Sequence, residues 1–244
     1  MNRRLCSLLV LALLACAPDG PAERTTGAGE AEAPRESSKA EPAGSRPGPR
    51  VVFLGTSLTA GLGLARSRDT YVYRLGELAD SAGIPMEAVN AGASGDTSAG
   101  GLRRLAWLLR EPVDVLVVEL GANDGLRGQD PDATARNLAE IVTAVKGRYP
   151  AARVLLAAME APPNMGDTYT SRFRAIFPAV AEETGARLIP FLLDGVAGVR
   201  ELNQDDGIHP TPEGHAVIAG NVWPWLEPEL RAWWDEHPHG REAR

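Results

Sequence analysis

The sequence predicts an α/β fold, a single three-layer α/β/α domain on a five-stranded parallel sheet. Three observations carry this. Short apolar runs and amphipathic helical stretches alternate five times between residues 50 and 236. Such alternation places parallel strands between layers of helices. The run at 113–120 is apolar enough to be buried on both faces, as strands of a covered parallel sheet are. Glycine-containing turns follow directly on several of these runs, where an α/β sheet places its site.

The elements follow in order. Val51-Val52-Phe53-Leu54, closed by Gly55, reads as a buried first strand. Residues 70–82 read as a helix with Val72, Leu75, Leu78 and Ala79 at helical spacing. A second strand is expected at 86–90, then a helix at 101–110 carrying Leu102, Leu105, Leu108 and Leu109 on one side. A third strand follows at 113–120. The helix at 131–149 opens on Pro131, where a missing N–H costs little. A fourth strand at 153–159, a helix at 171–184 and a fifth strand at 187–191 come next. A last helical region, 211–234, is expected to be interrupted around Pro224 and Pro228. The five tryptophans, Trp107, Trp223, Trp225, Trp233 and Trp234, read as core or helix-packing residues.

Ahead of this body lie two segments of different character. Arg3 and Arg4 precede a short apolar run, residues 5–15, which reads as an export signal at 1–15. It ends Leu13-Leu14-Ala15-Cys16 and resembles a bacterial lipobox, which would make Cys16 the lipidated residue. Acyl chains there would each add about 0.8 kcal/mol of membrane affinity per buried CH₂. Residues 17–49 hold no aromatic and no large aliphatic side chain, so they read as a disordered tether behind Cys16. The chain beyond residue 236 reads as a polar tail, 237–244. The expected organisation is an exported lipoprotein whose domain, 50–236, faces the periplasm or the cell exterior.

Composition narrows the function. The formal net charge is −7, against a nucleic-acid partner, which calls for a basic stripe. Both cysteines, Cys6 and Cys16, lie in the first sixteen residues, so the body has neither a thiolate nucleophile nor a Cys-based zinc site. Gly55-Thr56-Ser57 with Gly61 and Gly63 lacks the Lys of a Walker loop and the G-x-G-x-x-G form. His209 with Asp205 and Asp206 lacks the spacing of a known metal motif, so no metal is expected.

What remains at the strand ends is chemistry for acyl transfer. A Ser hydroxyl becomes a nucleophile only when a base takes its proton. His serves as that base near neutral pH, and a carboxylate fixes its tautomer. Ser57 follows the first strand. Asp206 and His209 stand three apart in Asp206-Gly207-Ile208-His209-Pro210 after the last strand, close enough for one turn to hold both. Ser94-Gly95 offers open backbone N–H groups and Asn123 offers an amide, the donor types that an oxyanion needs.

These segments resemble the SGNH, or GDSL, hydrolases. Gly55-Thr56-Ser57-Leu58 looks like the first block of that family and Gly95 like its second. Asn123 in Gly121-x-Asn123-Asp124 looks like the third, and Asp206-x-x-His209 the fifth. The resemblance spans about 51–225, and its longer stretches are most similar to the bacterial arylesterase, acyl-CoA thioesterase I and lysophospholipase subgroup. It implies a flavodoxin-like SGNH fold and a serine esterase with Ser57 as nucleophile, His209 as base and Asp206 as its support. It implies oxyanion donation from the N–H groups of Ser57 and Gly95 and from the Asn123 amide, with no metal or organic cofactor needed. One departure stands out: Thr56 occupies the place where the family usually carries Asp.

The expected substrate is a small acyl ester or lipid. The segment after the fourth strand is expected to wall the acyl site, with Asn164, Met165 and Tyr169 touching substrate. A carbohydrate O-acetyl esterase and a catalytically silent acyl-binding surface lipoprotein are the alternatives. The sequence leaves the oligomeric state open, and a monomer suffices. His215 reads as a helix-start residue, and Asp96 and Asp124 as turn or cap residues.

Overall fold

A computed structural model describes residues 48–238. The signal, Cys16 and nearly all of the tether lie outside the described residues, as do residues 239–244 of the tail.

Five strands form one parallel sheet in the order β2-β1-β3-β4-β5. They are β1 (Arg50–Gly55), β2 (Glu87–Gly92), β3 (Val115–Glu119), β4 (Arg153–Ala157) and β5 (Arg187–Ile189). The five expected strands are therefore all present, with ends shifted by a few residues. Val51 to Leu54 of β1 and Val115 to Val118 of β3 are almost wholly inaccessible, as continuous apolar runs at the sheet centre should be. The chain leaves β1 towards β2 on one side and later returns to β3 on the other. The carboxyl ends of β1 and β3 thus flank a topological switch point, where α/β sheets open a crevice.

Helices cover the sheet in two groups. α2 (Tyr71–Ser81) packs along α7 (Pro212–Glu236), while α3 (Ser98–Leu108), α5 (Pro131–Arg148) and α6 (Asp167–Thr184) pack side by side. Their starts are written in the sequence. Thr70, Thr97, Asp130 and Thr211 each accept a first-turn N–H through the side chain, and Pro131 and Pro212 stand at N1. Two short helices were not expected: α1 (Ser57–Ala60) directly after β1, and α4 (Ala122–Leu126) directly after β3.

Three expectations need correction. α7 runs unbroken through Pro224 and Pro228. Both prolines lie on its exposed side, where water can satisfy the carbonyls they free, while Val222, Leu226, Leu230 and Trp233 bury the opposite side. α6 begins at Asp167 rather than 171, with the Asp167 carboxylate in the first turn where the helix dipole favours it. Trp107 is 66 % exposed and is not a core residue, whereas Trp233 and Trp234 are buried edge-to-face. Among the described residues no helix is long and apolar enough to cross a membrane.

Candidate active site

Thr56 follows β1 and caps α1: its side chain accepts from Leu58 N at 3.4 Å. This sharp strand-to-helix turn lifts Ser57 to the first helical position, where its own N–H has no intrahelical acceptor. His209 arrives from a loop pinched shut by an antiparallel bridge between Asn203 and Pro210. Inside it, Gly207 N donates to Gln204 O and Gln204 N to His209 O. The Gln204 amide donates to Leu62 O at 2.8 Å and to Pro210 O at 3.0 Å, tying the His loop to the turn after Ser57.

The loop brings together what the sequence proposed. His209 Nε2 lies 2.9 Å from Ser57 Oγ, and His209 Nδ1 lies 2.6 Å from Asp206 Oδ2. The other carboxylate oxygen, Asp206 Oδ1, accepts Ile208 N at 2.9 Å and His209 N at 3.0 Å. These bonds, that of the His209 ring first, hold the Asp206 carboxyl down at about 2. A carboxylate on Nδ1 requires that nitrogen to carry the proton, which leaves the Nε2 lone pair for the Ser57 hydroxyl.

Asn123 stands in α4 and Gly95 in the turn after β2. Gly95 has φ +82°, and Asp96 N closes its turn onto Ala93 O at 3.1 Å. One Asn123 Nδ2–H donates to Asp96 O at 2.9 Å, and the amide has a second hydrogen. Asp124 accepts Ser98 N at 2.8 Å and Ser98 Oγ at 2.6 Å, fixing α4 against the start of α3.

Ser57, Asn123 and His209 line one cavity of about 550 Å³. Its walls are mainly apolar, with Leu58, Leu126, Met159, Phe191, Leu193 and Ile208 among them. Asn164, Met165 and Tyr169 do not line it; the segment contributes Glu160 to Pro163 instead. The chain turns away through a 3₁₀ helix at Pro163–Met165. Tyr169 then stacks on Phe173 and donates its hydroxyl to Gln129 O at 2.7 Å. Met165 lies against Gly128.

Four residues around the site were not anticipated: Glu119, Arg104, Gln204 and Thr59. Glu119 left a trace, since a carboxylate inside a buried apolar strand needs local donors. Gln204 and Arg104 left none, because each acts mainly by reaching backbone carbonyls far away in sequence, Leu62 O for Gln204 and Gly55 O and Ala91 O for Arg104.

The GDSL-like lipase/acylhydrolase family model matches residues 53–217. Esterase TesA of Pseudomonas aeruginosa is 45 % identical over 181 residues, which cover 74 % of this chain and 89 % of that protein. Thioesterase 1/protease 1/lysophospholipase L1 of Escherichia coli K12 is 39 % identical over 183 residues, covering 74 % and 83 %. The crystal structure of TesA superposes with a TM-score of 0.70 at 40 % identity, over 74 % of this chain and 99 % of that one. The chain belongs to the GDSL-like lipase/acylhydrolase family and is an ester hydrolase of the SGNH type.

Proposed function

We propose that Ser57, His209 and Asp206 are the catalytic triad of an exported esterase for short- to medium-chain acyl esters. The observation that carries this is the continuous Ser57–His209–Asp206 line, 2.9 Å and 2.6 Å, at an apolar-walled cavity. Ser57 Oγ attacks the acyl carbon while His209 Nε2 takes its proton. The oxyanion is held by Ser57 N–H, Gly95 N–H and the free Asn123 N–H. Collapse breaks the bond to the leaving oxygen or sulfur, which takes the proton back from His209. Water, deprotonated by His209, then releases the acid and restores Ser57.

The apolar walls favour an acyl chain over an acetylated sugar, and the relatives' names point to esters, thioesters and lysophospholipids. The same proposal takes residues 1–15 as export signal, Cys16 as lipid anchor, 16–49 as tether, 50–236 as the catalytic domain and 237–244 as a tail. Radiolabelled palmitate in growing cells tests the anchor: label lost in Cys16→Ser supports it, and label retained rejects it.

For the triad, the purified protein is assayed on p-nitrophenyl acetate, butyrate and octanoate beside Ser57→Ala. The variant should lose about 10⁴-fold or more in kcat. Equal activity of both proteins would remove Ser57 from the nucleophile's role.

A further inference from the structure

The three oxyanion donors come from three separate strand ends, and one side chain joins the machinery that holds them. Arg104, on α3, donates from Nη2 to Gly55 O at 2.9 Å, from Nη1 to Ala91 O at 2.7 Å, and from Nε to Asp96 Oδ2 at 2.6 Å. Gly55 ends β1 two residues before Ser57. Ala91 belongs to the end of β2. Asp96 follows Gly95, and its carbonyl receives the Asn123 amide. The guanidinium therefore contacts the segments of Ser57 and Gly95 directly and reaches Asn123 through Asp96. A rigid planar fork suits this better than any other side chain, because its donors diverge at fixed angles. The neighbouring sequence leaves space for the carboxylate that the guanidinium grips: a Cβ on Gly100 would come within 2.5 Å of Asp96 Oδ1. Both partners of the ion pair are about three-quarters covered, so water competes only weakly for them.

We infer that Arg104 is a positioning residue, which with Asp96 braces the oxyanion donors in register with Ser57. This rests on the nucleophile and oxyanion assignments proposed above. An oxyanion hole works only when its donors sit near 3 Å from the charge that develops, and it costs nothing at the moment of reaction if it is preorganised. Substrate binding in the apolar cavity uses other residues, so loosening the brace should affect kcat and spare KM.

The test compares Arg104→Met, Arg104→Lys, Asp96→Ala and the Arg104→Met/Asp96→Ala double variant with wild type and Ser57→Ala, using p-nitrophenyl butyrate. Thermal midpoints confirm that each assay reads folded protein. Arg104→Met should lose about 10²-fold in kcat, as small misplacements do, with KM within about threefold. Arg104→Lys should stay well below wild type, since an ammonium cannot serve three divergent acceptors. The double variant should lose little more than the worse single one, because both remove one brace. An inert Ser57→Ala beside an Arg104→Met with wild-type kcat leaves the triad standing and overturns the brace. Full activity in Arg104→Lys, or independent losses that multiply in the double variant, also overturn it. Should Arg104→Met fail to fold, Asp96→Ala decides alone: a fall in kcat of about tenfold or more at constant KM supports the brace, and an unchanged kcat overturns it. An active Ser57→Ala would instead sink the nucleophile assignment, and the inference with it.

Discussion

Glu119 and Thr56 face each other beneath the Ser57 turn, with the Thr56 amide 2.8 Å and its hydroxyl 3.0 Å from the Glu119 carboxylate. Thr59 adds its hydroxyl at 2.8 Å and its amide at 3.3 Å. The Thr59 hydroxyl in turn lies 2.7 Å from the Tyr71 hydroxyl, so every proton in the chain has an acceptor if Tyr71 donates to Thr59 and Thr59 to Glu119. Burial pushes the Glu119 carboxyl up, and the four donations oppose it. The residues flanking Ser57 and Leu58 are thus clamped to a strand end at the centre of the sheet.

Glu119→Gln should lower stability by about 2–4 kcal/mol, because a single neutral amide oxygen at the Oε2 place must then serve the Thr56 amide and both Thr59 donors, while the new N–H₂ faces the Thr56 hydroxyl. Thr56→Ala removes one hydroxyl donor and should cost about 1–2 kcal/mol. Urea denaturation reads both. If Glu119→Gln cost no more than Thr56→Ala, the clamp would not be a four-donor carboxylate site.

Thr56→Asp would put back the residue usual in the family and set a second carboxyl against Glu119. Two carboxylates cannot both ionise in a buried site, so one takes a proton and its folded-state pKa rises. A raised acid pKa adds stability that is full below the unfolded value, about 4. That stability is lost as pH rises through the folded value. Relative to wild type, Thr56→Asp should therefore be less stable at pH 8 than at pH 5. Urea midpoints that differ from wild type by the same amount at both pH values would count against this.

Much of the site was legible because it rests on local chemistry. Ser57 and Asn123 stand just behind the apolar runs of β1 and β3, Asp206 and His209 share one glycine-bearing loop, and the structure brings Ser57, His209 and Asp206 into one hydrogen-bonded line. The starts of α2, α5 and α7 were legible for the same reason, as Thr70, Asp130 and Thr211 act on residues two or three ahead, whereas α3 begins at Ser98 behind Thr97, three residues before the expected start at 101. The misreadings were tertiary. Pro224 and Pro228 break a helix locally, yet the buried face of α7 outweighs them. Asn164, Met165 and Tyr169 occupy the expected segment, but its turn and the Tyr169–Phe173 stack direct them away from the cavity. Arg104 reaches carbonyls 13 and 49 residues away, and no spacing announces such a contact.

The apolar cavity sets an expectation for chain length. Burying one CH₂ gains about 0.8 kcal/mol, or close to fourfold in kcat/KM when the transition state keeps the contact. The rise from p-nitrophenyl acetate to butyrate should approach that limit for each added carbon and flatten once the chain outgrows the walls. Ala197 lines the cavity from its exposed side, so Ala197→Phe should shorten the range without disturbing the core. Octanoate turnover should fall while acetate turnover holds. A uniform loss across all chain lengths would place the acyl group elsewhere.

His215 provides a pH test of the fold away from the chemistry. It is 1 % exposed, stacks on the Tyr71 ring, and accepts Tyr71 N at Nδ1, 3.2 Å away. Burial pushes its pKa down to about 4, the Arg74 guanidinium adds to the effect, and the Asp69 carboxylate opposes it. A proton on Nδ1 would also displace the Tyr71 N–H. Above the unfolded value, about 6.5, neither state binds the proton and the group contributes nothing to the pH dependence. Between that value and about 4 the unfolded chain takes the proton first, so stability falls by up to about 1.4 kcal/mol per pH unit. Below the folded value both states are protonated and the loss levels off. Asn at this position keeps an acceptor for Tyr71 N and has nothing to titrate. His215→Asn should be less stable than wild type at pH 7.5, through lost packing, and the gap should close as pH falls towards 4.5. Urea unfolding at intervals across that range reads the difference. Curves that stay parallel would mean that His215 gains its proton in the folded protein as easily as in the unfolded chain, and that Tyr71 N does not hold it neutral.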